Sequence, residues 1–189
     1  MKRPRGGTIS RYTTALILWL GVAGSCFLGF VPSVEAAPKD GQAFQDWMVK
    51  CEGGDGKAER CFAFQNIVYT QSGQRLLTLA AGYLGPKGEP WILLTLPLGI
   101  FLPSGVALKV DKGQRIDTPF KICTAKGCET GIPLDDVLLQ TMHRGLVARI
   151  AFLDGTARRQ ITVPVSLMGF AAAFRTLTAP DAKGAATPK

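Results

Sequence analysis

The side chains best suited to chemistry are one histidine, five cysteines and a thin scatter of acids. His143 is the sole conventional histidine base for a serine or cysteine nucleophile, and no G-x-S-x-G elbow accompanies it. Its place at a predicted helix end gives it a structural explanation. Asp135 and Asp136 are the nearest thing to a paired acid and base. Adjacent helical residues diverge by about 100°, so the two would not face one substrate. Three acids lie among glycines between Glu52 and Glu59, but the spacing is not that of a calcium loop and Lys57 interrupts it. Glycine-rich phosphate loops are absent. The residues therefore point to no enzyme, no cofactor and no metal site.

The cysteines carry a firmer signal. Cys26 falls in an N-terminal segment with the order of a secretory signal peptide: Lys2, Arg3, Arg5 and Arg11, then the uncharged apolar stretch Ala15–Phe30, then Val34-Glu35-Ala36. Cleavage between Ala36 and Ala37 would remove residues 1–36 and leave Cys51, Cys61, Cys123 and Cys128. An uncleaved anchor is the competing reading, but the apolar run falls short of the roughly 20 residues a span needs. No transmembrane span is expected after cleavage. Four cysteines in an exported chain read as a disulfide framework with three possible pairings. The short turn-like loops EGGDGKAER and TAKG favour Cys51–Cys61 and Cys123–Cys128, each worth about 2–3 kcal/mol in the chain-entropy picture. Zinc would call for closely spaced C-x2-C knuckles, and neither they nor a CxxC redox motif is present.

Cleavage also removes four basic residues and Glu35, so the formal net charge falls from +8 to +5. Apart from Arg158-Arg159 the remaining cations are scattered singly along the chain. A nucleic-acid binder would show a basic stripe with interleaved aromatics, so no nucleic-acid partner is expected. Weak attraction to an anionic cell surface is all this charge supports.

The elements that would position such residues are mostly strands. Alternating or densely apolar runs at Asp46–Cys51, Arg60–Thr70, Leu76–Leu84, Trp91–Leu96, Val106–Asp111, Phe120–Thr124, Leu146–Leu153 and Gln160–Leu167 are separated by Gly, Pro and Asp turns. Trp47, Val49 and Cys51 share one face. Trp91–Leu96 reads as buried on both faces, Ile100–Leu102 as a buried corner, and Phe120 and Ile122 as inward-facing. Trp47 and Trp91 read as core aromatics. Pro164 favours a sheet edge or a bulge. Leu134–Arg144 reads as a helix with Leu134, Val137, Leu138 and Met142 on its apolar side and Gly145 as its stop. A short helical turn is expected near Ala171–Ala173. About eight short strands and few helices make an all-β sandwich, as one domain over residues 37–178. Residues 179–189 form a small, polar, Pro-bearing tail expected to be disordered.

With chemistry sparse, binding is left to exposed loops: Gly53–Arg60, Gly85–Pro90 and the corner Gly99-Ile100-Phe101-Leu102-Pro103-Ser104-Gly105. The last is the favoured partner-contact loop.

The chain resembles the invasion-associated locus B family of exported bacterial proteins. The resemblance runs through Trp47-Met48-Val49-Lys50-Cys51, Cys61, Leu96-Pro97-Leu98-Gly99-Ile100 and Leu102-Pro103-Ser104-Gly105-Val106. It continues through Val110-Asp111, Pro119-Phe120, Cys123 with Gly127-Cys128, and Ser166-Leu167-Met168-Gly169-Phe170. It implies an immunoglobulin-like β-sandwich, local disulfides, a periplasmic or outer-envelope location and a link to host-cell invasion, and it carries no catalytic residues. The expectation is a non-enzymatic exported envelope protein acting as a binding module for a protein or envelope partner. A periplasmic structural or assembly factor is the alternative, and an unrecognised hydrolase a more distant one.

Overall fold

The structure is a computed structural model that describes residues 38–54 and 57–177. The expected signal peptide with its Ala36–Ala37 cleavage site and the expected 179–189 tail lie outside the described residues.

Among the described residues, eleven strands and two short α-helices follow in the order β1 (Ala43–Phe44), β2 (Trp47–Gly54), β3 (Lys57–Val68), β4 (Arg75–Gly82), β5 (Trp91–Leu96), β6 (Val106–Val110), β7 (Arg115–Thr118), β8 (Ile122–Thr124), β9 (Gly127–Pro133), α1 (Asp136–Arg144), β10 (Val147–Leu153), β11 (Gln160–Ser166) and α2 (Phe170–Arg175). A seven-stranded antiparallel sheet has the order β1-β2-β3-β4-β5-β9-β8, and a four-stranded antiparallel sheet has the order β11-β10-β6-β7. This is the all-β sandwich that the strand pattern predicts.

Side chains alternate across a strand, so each sheet turns one set of positions inward. Trp47, Val49, Leu77, Leu79, Ile92, Leu94, Leu96 and Ile132 from the larger sheet meet Val106, Leu108, Val110, Ala148, Ile150, Phe152, Val163 and Val165 from the smaller one. Pro164 lies in β11, an edge strand, where a missing N–H breaks no ladder. The helices pack on each other at one end of the sandwich, where Phe170 sits edge-on to Trp47 at a centroid distance of 5.0 Å. Asp135 caps α1, its carboxylate accepting the Leu138 N–H at 2.7 Å.

Several expectations require correction. A strand absent from the sequence reading, β7 at residues 115–118, pairs with β6, while the expected 120–124 strand shortens to β8 and joins the other sheet. Between Thr118 and Ile122 the chain leaves the small sheet for the large one. Phe120 is accordingly half-buried against the core, and Ile122 is exposed in β8. The strap is tied down by Thr130, whose buried hydroxyl donates to the Pro119 carbonyl at 2.6 Å. Strand β9 escapes sequence reading because GCETGIP carries two glycines, which depress strand propensity. Val137 is 76% exposed, because the buried side of α1 carries Leu138 and Met142. Gly145 does end α1, but with φ −73 rather than in a left-handed cap. A Cβ there would lie 2.5 Å from Val110 Cγ1, so close packing explains the glycine.

Candidate interaction surface

The favoured Gly99–Gly105 corner is a fixed piece of scaffold. The Gly99 carbonyl accepts the Gly155 N–H at 2.8 Å, and the Phe101 N–H donates to the Leu153 carbonyl at 2.9 Å. Arg158 stacks its guanidinium 3.7 Å from the centre of the Phe101 ring. Gly105 adopts φ +63 with its backbone against strand β7, where a Cβ would sit 2.5 Å from the Thr118 oxygen. The Ile100–Leu102 corner is not buried as expected: Leu102 is exposed, Ile100 and Phe101 are half-buried, and the neighbouring Leu98 is exposed. A shallow depression of about 410 Å³ lies beside Leu98, with Arg75 and Lys126 in its wall. Arg75 is already engaged there, donating to the Lys126 carbonyl at 2.7 Å.

The residues suited to catalysis are dispersed. His143 packs between Phe170 and Phe174 at centroid distances of 5.5 and 5.7 Å, and its buried Nε2 has no hydrogen-bond partner. Burial, reinforced by the nearby charge of Arg175, lowers its pKa. Asp135 is occupied as a helix cap. Among the described residues no group of three or more His, Cys, Asp or Glu side chains is placed to hold a metal.

The cysteines lie where the short-loop argument puts them. Cys51 faces Cys61 across β2 and β3, and Cys123 faces Cys128 across β8 and β9, each pair bonded with Cα atoms 4.0 Å apart. Each bridge pins one hairpin of the large sheet.

That sheet also presents the surface that sequence reading missed. On its outer side, strand register aligns Met48 with Phe64, Phe64 with Ala80, Ala80 with Leu93 and Leu93 with Gly131. Phe62 lies beside Phe64 at a centroid distance of 6.3 Å, and Trp91 also faces outward. Met48 and Leu93 are 43% and 39% exposed, and Phe62, Phe64, Ala80 and Trp91 are half-buried. The outer side of a sandwich sheet is ordinarily polar. Here apolar side chains run across four strands.

Local chemistry holds this face in shape. A Cβ on Gly131 would lie 2.7 Å from Trp91 Cε3, so the glycine makes room for the indole to lie over β9. The Trp91 Nε1–H donates to Glu89 Oε1 at 3.1 Å, and Lys87 N–H donates to Glu89 Oε2 at 2.8 Å. These donors, led by the residue's own backbone N–H, hold the Glu89 carboxyl below its ordinary pKa. Thr78 donates to Asn66 Oδ1 at 2.6 Å across β3 and β4. The signal was present as WILL and CFAF, runs too continuously apolar for strands with one wet face. Reading Trp91–Leu96 as buried on both faces was the error: Ile92, Leu94 and Leu96 point inward, whereas Leu93 points to solvent.

Among the described residues no helix is long and apolar enough to cross a membrane. Residues 47–178 match the family model described as Invasion associated locus B (IalB) protein. An invasion protein B homolog of Brucella abortus strain 2308 is 26% identical over 133 residues, covering 70% of this chain and 76% of the relative. The homolog of Brucella abortus biovar 1 strain 9-941 gives the same figures. The fold is shared with the crystal structure of invasion associated protein b from Bartonella henselae, at a TM-score of 0.60 and 24% identity over 70% of this chain and 90% of that one.

Proposed function

This chain belongs to the invasion associated locus B family, and from that premise we propose that it is a non-enzymatic exported envelope protein. It acts as a binding module, a single sandwich domain behind a removable leader. The observation that carries the reading is the outward apolar row Met48–Phe64–Ala80–Leu93. Exposed apolar surface that is continuous across strands marks sites where proteins associate. The partner is a protein surface bearing its own apolar side chains. Export is supported by the leader sequence and by two disulfides, which persist in oxidising compartments. Host-cell invasion, carried in the names of the relatives, is the setting we assign to the partner. The Gly99–Gly105 corner offers a second contact through Leu98 and Leu102.

The test compares the oxidised wild-type chain with a Phe64→Ser/Leu93→Ser variant as baits for envelope and host-cell fractions, after both are shown to unfold cooperatively. A partner held by wild type and lost by the variant is the expected result. A partner held equally by both removes the face from the reading. N-terminal sequencing of the exported protein is expected to begin at Ala37, and retention of residues 1–36 would overturn the export assignment.

A further inference from the structure

The outer side of the four-stranded sheet has a different character. Lys109 pairs in register with Arg149 on one side and with Arg115 on the other. Three cations that look isolated in the sequence thus form one row across β10, β6 and β7, and all three are exposed. Adjacent strands are about 4.8 Å apart, so the row places two like-charged cross-strand pairs side by side, an arrangement that opposes folding. Lys112, exposed in the turn between β6 and β7, adds a fourth cation at the same end.

Nearby acids offset the row only in part. Asp117 pairs with Arg115 at 2.8 Å. The Asp111 carboxylate accepts the N–H groups of Leu146 and Val147 at 2.9 and 3.0 Å, which ties it to the backbone. The ion pairs among the described residues are Lys50–Glu52 and Arg115–Asp117, leaving Lys109, Lys112 and Arg149 without a carboxylate partner. The aligned positions also carry Pro164, next to Arg149, and the following row reads Asp117–Ala107–Ala151–Thr162. No aromatic stands in either row to stack on a nucleic-acid base.

We propose that the Arg149–Lys109–Arg115 row, with Lys112, docks the protein onto an anionic phospholipid bilayer. Charge complementarity carries the assignment: a surface of closely spaced lipid phosphates relieves the repulsion at Lys109, Lys112 and Arg149, which the fold leaves without a carboxylate partner. A row of long cationic stems suits a laterally extended array of charge, to which each cation near the surface adds about fivefold in binding. The site is separate from the apolar face of the other sheet and does not depend on it.

Co-sedimentation of the full oxidised chain with phosphatidylcholine vesicles, with and without phosphatidylglycerol, tests this. Binding is expected only with phosphatidylglycerol, and it should weaken as salt shortens the screening length. Lys109→Gln/Arg149→Gln should lower binding by about 25-fold. Arg60→Gln/Lys87→Gln, which removes the same charge elsewhere, should lower it far less. Both variants should first show wild-type near-ultraviolet dichroism. Equal losses in the two variants would reduce the effect to net charge and overturn the proposal. So would indifference to phosphatidylglycerol, or row-dependent binding to duplex DNA without binding to vesicles.

Discussion

The indole Nε1–H of Trp47 reaches the backbone oxygen of Ser166 at 2.9 Å, joining β2 of the large sheet to the end of β11 in the small one. Gln65 supports the same junction, its Nε2 donating to the Asp46 carbonyl at 2.7 Å and lying 3.4 Å from the Ser166 oxygen. The two layers are thus tied by directional bonds beside their shared apolar interior.

Replacing Trp47 by Phe keeps an aromatic ring against Phe170 and deletes the donor to Ser166. The expected cost is about 1–2 kcal/mol, read as a lower urea midpoint with an unchanged slope. Trp47→Ala also empties the site and should cost about 3–5 kcal/mol.

His143 makes stability sensitive to acid. Its folded-state pKa lies below the ordinary 6.5 because burial disfavours the imidazolium. The unfolded chain therefore binds the proton more readily. Stability from the neutral ring is complete above that ordinary value and is lost as pH falls from there through the lowered folded value. Urea titrations at about pH 7.5 and about pH 5 should show wild type losing more stability than His143→Phe. Equal losses would place the acid-sensitive group elsewhere.

Glycine positions separate backbone strain from collision. Gly169 adopts φ +91, and a Cβ there would overlap the Phe44 carbonyl oxygen where β1 meets the start of α2. Gly99 adopts φ +87 with open space around it. Gly99→Ala should cost about 1–2 kcal/mol from the left-handed conformation alone. Gly169→Ala should lower the melting temperature substantially further, because the backbone must also move.

The bridges predict a specific peptide map. Proteolysis without reductant should release Cys51 joined to Cys61 and Cys123 joined to Cys128. A peptide joining Cys51 to Cys123 or Cys128 would contradict both hairpin registers. Removing the Cys51–Cys61 bridge by paired Ser substitution should cost about 2–3 kcal/mol.

What was legible in the sequence followed from local periodicity. Trp47, Val49 and the two cysteine loops announce hairpins because alternation and turn chemistry are read within a few residues of each other. The apolar outer face was hidden because Trp91–Leu96 has one appearance whether its second face meets another layer or solvent. The cationic row was hidden for a different reason. Lys109, Arg115 and Arg149 become neighbours only through register, which no single stretch of sequence contains. Strand β9 was missed because its pairing with β5 outweighs the weak local preference of a glycine-bearing segment.

The order of strands also bears on how the chain reaches this state. From β2 through β5 each strand pairs with its predecessor, so that part of the large sheet can grow from successive hairpins as the chain emerges. The small sheet can do so only in two halves, β6–β7 and β10–β11. Its β6 finds β10 only after three further strands and a helix have been made, and closing so long a loop is entropically slow. Docking of β10 onto β6 is thus the expected late step in folding, and until it occurs the apolar inner side of the first hairpins is exposed to whatever assists or degrades a newly made chain.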